Sequence, residues 1–447
     1  MIARFVHGTP EFDEALGRLR DRGETDSARV EPDVRAILEA VRREGDAAVR
    51  RYVERFERRT PKTLLLRDLD GRAALERLPP AARAALELAA ERIAAFHRRE
   101  RDAMFPGLDP AARPPGQLGS GFLADDDGRT VGLRVRPLAR VGVYAPGGKA
   151  RYPSSVLMSA LPAKVAGVED VLLATPLSGK TDEDDGVIAA AHLAGVTAIV
   201  DAGGAQAIAA LAFGTETIPR VDKIVGPGNA YVACAKRLVY GAVAIDSIAG
   251  PSEILVLADA TADPAHVAAD LLSQAEHDED AYGLLVTSEV ALADAVALEL
   301  DRQLADLPRR AIASESLRRH GQVFVVPDRQ GMAAVANTIA PEHLSLQVEE
   351  PEDLLASIAN VGAAFVGRLT PEAAGDYLAG PSHVLPTGGA VRFGSPLGVH
   401  DFVARTSIIR YTADALRRDS ESICVFARLE GLEAHARAVL VRTKGVV

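Results

Sequence analysis

The amino-acid sequence predicts an α/β protein that contains two parallel sheets. Short apolar runs alternate with glycine turns and helices from Val131 onward, and a second alternating block begins at Ile254. Strand–helix–strand order is typical of parallel sheets, whose ligands usually lie beyond the carboxyl ends of the strands. With 447 residues, the chain is long enough for about three domains.

The region before residue 120 is predicted to be helical. Apolar residues recur at i, i+3, i+4 and i+7 in one stripe, at Val34, Ile37, Leu38 and Val41. A second helix is expected around residues 86–96. We assign no function to this region, because stripes of this kind usually serve packing alone.

The first alternating block contains three predicted strands and three predicted helices. The strands are residues 171–174, 198–200 and 223–225, and the helices are residues 187–194, 206–213 and 229–239. Glycine-rich loops at strand ends occupy residues 144–148, 201–206 and 226–229. Glycine lets backbone N–H groups approach a phosphate, and a following helix offers its positive end. Each loop alone is more often a simple turn, and none contains G-x-G-x-x-G. Three such loops in one predicted sheet make a nucleotide site and simple turns equal alternatives.

The second block repeats the alternation. Its predicted strands are residues 254–258, 284–286, 323–326 and 363–366. A helix begins at Asp263-Pro264, which supplies a cap and a proline at the first helical position. Gln274 and His277 are predicted on one side of this helix, so both side chains can reach one point in space. Such a pair is weak support by itself, because surface helices often carry one.

Composition restricts the function. Lys and Arg number 51 against 62 Asp and Glu, which gives a net charge of -11 and no basic tract typical of nucleic-acid binding. The start lacks the basic and apolar regions of a signal peptide, and the most apolar stretch, residues 186–200, is shorter than the roughly 20 residues of a membrane span. We therefore expect a cytoplasmic location. Two cysteines, Cys234 and Cys424, allow neither a disulfide framework nor a thiolate zinc ribbon.

Five short polar segments carry candidate metal ligands and acid/base groups. They are residues 274–277, 341–343, 375–377 and 382–383, and the pair Glu430 and His435. Four of the ten histidines fall in these segments. If one fold gathers them, they form a metal site of N and O ligands beside the Glu342–His343 pair, which is expected in a proline-led turn.

The motifs and their order resemble those of the histidinol dehydrogenase family. The matching strings include Tyr144-Ala-Pro-Gly-Gly148, Gly203-Gly-Ala-Gln206, Gly226-Pro-Gly-Asn229, Pro251-Ser252-Glu253, Gln274-Ala-Glu-His277, Pro341-Glu342-His343, Gly375-Asp376-Tyr377, His383-Val-Leu-Pro-Thr-Gly-Gly389 and Glu430-Gly-Leu-Glu-Ala-His435. The resemblance runs from about Arg35 to the C-terminus and is highly specific.

The resemblance implies two Rossmann-like parallel-sheet domains with small helical N- and C-terminal domains. Residues 1–34 would form an N-terminal helical segment. Residues 35–143 and 252–397 would together form the first α/β domain, which carries the zinc and catalytic residues. Residues 144–251 would form the NAD-binding domain, and residues 398–447 a dimerisation segment.

The same resemblance implies the activity. The family oxidises L-histidinol to L-histidine in two NAD-dependent steps through histidinaldehyde, in histidine biosynthesis. One zinc per subunit would be held by Gln274, His277 and Asp376, with His435 supplied by the other subunit of a homodimer. These zinc ligands would also contact the substrate; the further expected contacts are Ser252, His343, His383 and Glu430 for the substrate, and Tyr144, Gln206 and Asn229 for NAD.

The two oxidations require different groups. A neutral imidazole with an ordinary pKa of about 6.5 suits removal of the hydroxyl proton, a role that falls to His343. The aldehyde step needs an added oxygen nucleophile, and Glu342 can activate a water for it. A cysteine is the usual alternative, but neither Cys234 nor Cys424 lies in a matched motif.

Three other functions are compatible with parts of the pattern. Pro381-Ser382 and His400 differ from the expected family pattern, so a related zinc and NAD dehydrogenase for another hydroxy compound is one alternative. A zinc hydrolase could use Glu342 as its base, although the glycine loops would then be unexplained. A nucleotide-binding scaffold would show neither turnover nor bound zinc.

Overall fold

A computed structural model of the chain describes residues 2–22, 27–108, 120–147, 151–248 and 250–443. Gly148, at the end of the first predicted glycine loop, lies outside these ranges. The strands are β1 (Ala3–Val6), β2 (Leu65–Leu66), β3 (Ser120–Asp126), β4 (Arg129–Pro137), β5 (Arg140–Tyr144), β6 (Asp170–Ala174), β7 (Ala198–Val200), β8 (Lys223–Val225), β9 (Ala244–Ile245), β10 (Glu253–Ala258), β11 (Tyr282–Thr287), β12 (Gln322–Val325), β13 (His343–Gln347), β14 (Ala363–Val366) and β15 (Val403–Tyr411).

The helices connect and cover these strands. They are α1 (Pro10–Arg20), α2 (Ser27–Glu44), α3 (Asp46–Glu57), α4 (Gly71–Arg77), α5 (Pro80–Met104), α6 (Pro153–Ala166), α7 (Thr181–Leu193), α8 (Gly204–Phe213), α9 (Ala230–Val239), α10 (Pro264–Ala275), α11 (Val290–Leu304), α12 (Arg310–His320), α13 (Arg329–Ile339), α14 (Pro351–Leu355), α15 (Glu372–Tyr377), α16 (Ala413–Leu429) and α17 (Glu433–Thr443). Short 3-10 turns occupy Ala390–Arg392 and Val399–Phe402.

Sheet 1 has six parallel strands in the order β1-β12-β11-β10-β13-β14. Its central strands are buried on both faces, as in other parallel sheets covered by helices. Leu255 and Phe324 face a core that includes α1 and α13. Val256 and Leu285 face the opposite core with α10, α11 and α12.

Sheet 2 has the order β2-β7-β6-β5-β8-β9, with β2 as an antiparallel edge and the other strands parallel. Residues of α2, α3, α8 and α9 form the core on one face. Residues of α5, α6 and α7 form the core on the other. The predicted α/β class with two parallel sheets is confirmed.

The remaining strands form a small antiparallel sheet with the order β15-β4-β3. The C-terminal helices α16 and α17 form a hairpin after β15. Cys424, Ala427 and Ala436 make a separate small core between these two helices. Within the described ranges, no helix combines the length and apolar character that a membrane span requires.

The packing of the first half differs from the grouping that the resemblance implied. Residues 35–143 were expected to join residues 252–397, but α2, α3 and α5 bury their apolar stripes against helices of sheet 2. Strand β5 lies inside sheet 2 rather than before it. Residues 1–34 were expected to be a helical segment, but β1 extends sheet 1 beside β12 and α1 packs on the same sheet.

Candidate active site

The candidate site lies between the two sheets. A cavity of about 530 Å³ opens there, lined by α5, by the start of α6, and by Glu276, His277 and Tyr377. Glu342 and His343 stand at the amino end of β13, beside the amino end of β10. The acid/base residues were expected at the carboxyl ends of the strands, and for Glu342 and His343 in sheet 1 this expectation is wrong. The proline-led turn was also expected to contain His343, which is instead the first residue of a buried strand.

The backbone of Glu253 holds both members of the Glu342–His343 pair. The Glu253 N–H donates to Glu342 Oε2 at 2.8 Å. The Glu253 carbonyl oxygen lies 2.9 Å from His343 Nδ1. Because a carbonyl oxygen can only accept, Nδ1 must carry the proton, and Nε2 is the unprotonated nitrogen. Ser252, the predicted substrate contact, directly precedes Glu253 and is partly buried.

Burial shifts the pKa of Glu342 and the pKa of His343 in opposite directions. Burial, followed by the neighbouring carboxylates of Glu253, Glu372 and Asp376, raises the pKa of Glu342 well above its usual value. Burial lowers the pKa of His343, which favours the neutral imidazole. A neutral imidazole with a bare Nε2 can accept a proton, and a carboxylate with a raised pKa is a stronger base once ionised.

Asp376 and His383 lie next to this pair. His383 Nδ1 is 3.1 Å from the Asp376 carbonyl oxygen and 3.6 Å from Asp376 Oδ1. Burial lowers the pKa of His383, and Asp376 and His277 also lie close enough to affect it. His277 was expected on the same helix as Gln274, but α10 ends at Ala275 and His277 follows in an exposed turn. The site therefore gathers His277, His343, Asp376 and His383.

Four buried polar atoms of Gln274, His343 and Glu372 have no hydrogen-bond partner among the residues that the structure describes. They are both amide atoms of Gln274, His343 Nε2 and Glu372 Oε1. Buried polar atoms are normally hydrogen-bonded, so such a group of unpaired atoms suits a metal or a bound substrate. Atoms of His343, Glu372 and Asp376 lie within 4.8 Å of one another and could hold a metal ion. Of these three residues, Asp376 also belongs to the predicted zinc ligands.

Glu372 was not predicted from the sequence. It is buried, its Oε1 lies 3.5 Å from His343 Nδ1, and its Oε2 accepts from Ser273 Oγ at 3.0 Å. Burial, reinforced by Asp376, raises the pKa of Glu372 well above its usual value. Its position one helical turn before Asp376 on α15 was the signal that could have indicated it.

Sheet 2 brings the predicted NAD contacts to the carboxyl ends of its strands. Tyr144 ends β5, and its hydroxyl accepts from the Gly204 N–H at 3.0 Å. Burial raises the pKa of Tyr144 to about 12. Gln206 is buried in α8, with its Nε2 3.4 Å from Glu57 Oε1. Gly226 has φ +113, and a Cβ there would lie 2.1 Å from the Tyr144 carbonyl oxygen, so only glycine fits.

At three positions in the glycine loops, the backbone N–H group already donates to a protein oxygen and is not free to bind a phosphate. The Gly203 N–H donates to Glu57 Oε1 at 2.9 Å, Gly204 donates to Tyr144, and Gly226 donates to Asp246 Oδ2 at 2.8 Å. Asn229 is exposed, and its Oδ1 caps α9 by accepting from the N–H groups of residues 231 and 232. The expected glycine-loop phosphate cradle is therefore already filled by protein groups at these positions.

Glu430 and His435 are exposed residues of the C-terminal hairpin. The hairpin to which they belong has a small core of its own between α16 and α17. Cys234 packs in the core of sheet 2, and Cys424 packs between α16 and α17. Both cysteines are thus buried structural residues.

Comparison with known proteins identifies the family. The family model for histidinol dehydrogenase matches residues 20–443. The chain is 50% identical over 436 residues to the histidinol dehydrogenase of Syntrophotalea carbinolica, with 97% of each chain covered, and 46% identical over 434 residues to that of Aquifex aeolicus, again with 97% of each covered. The crystal structure of histidinol dehydrogenase from Elizabethkingia anophelis superposes with a TM-score of 0.88 at 33% identity, covering 100% of this chain and 98% of that one. The chain belongs to the histidinol dehydrogenase family, a family of NAD-dependent oxidoreductases of histidine biosynthesis.

Proposed function

We propose that this chain oxidises L-histidinol to L-histidine in two steps at the cleft between the sheets, with His343 and Glu342 as the acid/base groups. The observation that best supports this proposal is that the backbone of Glu253 contacts both side chains: its N–H donates to Glu342, and its carbonyl oxygen fixes the tautomer of His343. The groups around them, His277, Asp376 and His383, supply the nitrogen and oxygen atoms that a polar substrate needs. We expect the reaction to take place in the cytoplasm.

Zinc is the metal that the family implies, and the residues present fit it. We infer that Gln274, His277 and Asp376 hold it, together with His435 of a second subunit. The unpaired, buried amide of Gln274 supports this assignment, because a ligand oxygen needs no protein donor. When bound, zinc would hold the imidazole and amino nitrogens of histidinol and so orient its carbinol carbon. Ser252, His383 and Glu430 are the further substrate contacts in this proposal.

In the first step, His343 removes the hydroxyl proton. Its Nδ1–H is engaged by the Glu253 carbonyl oxygen, so Nε2 receives the proton. The carbinol hydrogen leaves as hydride to NAD, and the carbinol becomes the aldehyde. The lowered pKa of His343 keeps the imidazole neutral and ready to accept at neutral pH.

In the second step, Glu342 removes a proton from a water that adds to the aldehyde carbon. The product of this addition is the anion of the hydrate, which would pass hydride to a second NAD and become a carboxylic acid. Loss of the remaining proton to solvent gives the carboxylate of histidine. Tyr144, Gln206 and Asn229 are the proposed NAD contacts, supported by their position at the carboxyl ends of the strands of sheet 2. The buried carboxyl of Glu342 suits this base role because its pKa is raised.

Glu342→Gln tests the division between the two steps. We expect oxidation of histidinaldehyde to slow by about 100-fold or more, and oxidation of histidinol to slow less, because general-base catalysis is lost only in the aldehyde step. The two rates are measured separately by NADH formation, with zinc content determined in parallel. Exposed Glu349→Gln is the matched control. Equal slowing of both steps at unchanged zinc content would contradict the assignment.

The same assay separates the proposal from its alternatives. A zinc hydrolase or a scaffold would produce no NADH from histidinol, and a related dehydrogenase would prefer another hydroxy compound. Chelation should abolish NADH formation from histidinol, and added zinc should restore it. NADH formation at an undiminished rate after complete removal of the metal would refute the zinc assignment.

We further propose a homodimer in which His435 and Glu430 act in the partner's site. Val425, Phe426 and Leu429 on α16 expose large apolar surface, which is typical of an interface. Glu342→Gln and His435→Asn homodimers should each form little histidine. When the two variants are unfolded and refolded together, random pairing makes about half of the dimers mixed. One of the two sites in each mixed dimer then contains both Glu342 and His435. Roughly a quarter of wild-type histidine formation should therefore return. No recovery above the parental average would exclude His435 acting in trans.

A further inference from the structure

An arginine near the N-terminus is buried at the amino ends of β10 and β13. Arg22 follows α1, and its side chain is only 4% exposed. Its Nε donates to Glu253 Oε1 at 2.8 Å, and its Nη2 donates to Glu253 Oε2. Its Nη1 donates to the carbonyl oxygens of Leu19 and Ile339, the latter at 2.8 Å. Arg22 therefore joins the end of α1, the start of β10 and the end of α13.

Glu253 is the residue whose backbone holds the two catalytic side chains. Its N–H contacts Glu342 and its carbonyl oxygen contacts His343. Its carboxylate also accepts from the Gly388 N–H at 2.8 Å. A shift of Glu253 would therefore move the donor to Glu342 and the acceptor from His343 together.

Arg22 supplies the positive charge that this arrangement needs. The carboxylate of Glu253 and the side chain of Glu342 are both buried. A buried carboxylate without a partner must move toward water or take up a proton. Ile339 lies three residues before Glu342 on the same segment, so the bond to its carbonyl oxygen also fixes the approach of the chain to Glu342.

We propose that Arg22 is a positioning residue for the Glu342–His343 pair and acts through Glu253. This inference rests on the proposed function, since it assigns the roles of Glu342 and His343. A guanidinium is suited to the task because its planar fork contacts both carboxylate oxygens and still donates to two carbonyl groups. A lysine ammonium would keep the charge but could not keep this set of directed bonds.

Arg22→Lys and Arg22→Met test the inference against a control of similar geometry. Arg77 forms a comparable fork with Asp185, at 2.9 and 2.7 Å, between α4 and α7. Arg77→Met should lower stability without changing kcat per zinc-loaded site. Arg22→Lys should lower kcat by about 10-fold and Arg22→Met by about 100-fold, because small misplacements of catalytic groups have effects of this size. The KM for NAD should stay constant, since its proposed contacts lie on sheet 2.

An isotope effect distinguishes positioning from stability. With histidinol deuterated at the carbinol carbon, Arg22→Lys should show a larger primary isotope effect on kcat than wild type, because hydride transfer becomes slower. If Arg22→Met does not fold, Glu253→Gln gives the same test from the other partner and should also lower kcat per zinc-loaded site. A kcat within twofold of wild type in the folded variants, or an unchanged isotope effect, would overturn the inference. An inactive wild type would instead overturn the proposed function.

Discussion

Glu100 offers a test of stability that is independent of catalysis. Its Oε2 lies 2.6 Å from His97 Nδ1, and its Oε1 lies 3.3 Å from His400 Nδ1 and accepts from the Val399 N–H at 3.1 Å. These contacts connect α5 to the 3-10 turn that precedes β15. Glu100→Gln keeps the shape of the side chain but removes its charge. We expect the variant to be less stable at neutral pH.

The magnitude follows from the pKa of Glu100. Burial opposes ionisation, but hydrogen bonds from His400, His97 and Val399 outweigh it and lower the pKa from 4.5 to about 2. The difference between a pKa of 4.5 and a pKa of about 2 corresponds to at most about 3.4 kcal/mol of stability. Solvent screening of the partly accessible carboxylate reduces this to about 1–2 kcal/mol. Because the folded pKa is lowered, this stability is present above the unfolded value of 4.5 and is lost as the pH falls toward 2.

Urea unfolding at several pH values measures this difference. Glu100→Gln should lower the free energy of unfolding by about 1–2 kcal/mol at pH 7, and the gap should narrow steadily below about pH 4.5. Glu91→Gln, an exposed acid on the same helix, is the control and should have little effect at either pH. A gap that stays constant between neutral and acidic pH would refute the charge argument, since a packing defect does not titrate.

Three further predictions address other parts of the chain. Cys234→Ser should keep most activity, because the aldehyde step is assigned to water; selective loss of that step would contradict this assignment. Gly226→Ala should lower the free energy of unfolding by about 1–3 kcal/mol and weaken NAD binding, because φ is +113 and the new Cβ would meet the Tyr144 carbonyl oxygen. Gly241 also has a positive φ, +99, but a Cβ there would meet no atom within 4 Å. Gly241→Ala should therefore lower stability less and leave NAD affinity unchanged. The hydrogen bond with Glu100 is the main cause that raises the pKa of His400. The charged imidazole should therefore stabilise the fold below the unfolded pKa of about 6.5, and this stabilisation should be lost as the pH rises through the folded pKa. His400→Gln should differ most from wild type in urea unfolding at acidic to neutral pH.

The strands that could be predicted are those with uninterrupted apolar runs. Strands β7 and β8 have the predicted bounds, and Asp263 caps α10 with the predicted proline at the first helical position. Strand β13 was missed because it contains polar residues inside a buried strand. Ser345 Oγ and Gln347 Nε2 both donate to Asp270 Oδ2, at 3.0 and 2.9 Å, so these two buried donors have a protein acceptor. No local pattern in the sequence indicates that partner.

The sequence could indicate candidate side chains for the site, but not the backbone groups and distant contacts that position them. Glu342 and His343 were recognisable as an acid/base pair, but the part played by Glu253 depends on its peptide groups, which every residue has. Arg22 lies more than two hundred residues from Glu253 in the chain. Glu372 resembles any acidic residue of a short helix until the fold buries it beside His343.

The two sheets contribute different strand ends to the candidate site. The start of α6, which follows β5 of sheet 2, lines the cavity, whereas Glu342 and His343 lie at the amino end of β13 in sheet 1. The segment after α15 connects the two: Ser382 Oγ donates to the Met158 carbonyl oxygen on α6 at 3.1 Å, and the Gly388 N–H donates to Glu253 on β10. His383 lies between these two bonds, with Nε2 3.4 Å from Ser155 Oγ of α6. One short segment thus connects α6, which packs on sheet 2, to β10 of sheet 1, and so helps to fix the proposed base relative to the proposed NAD contacts.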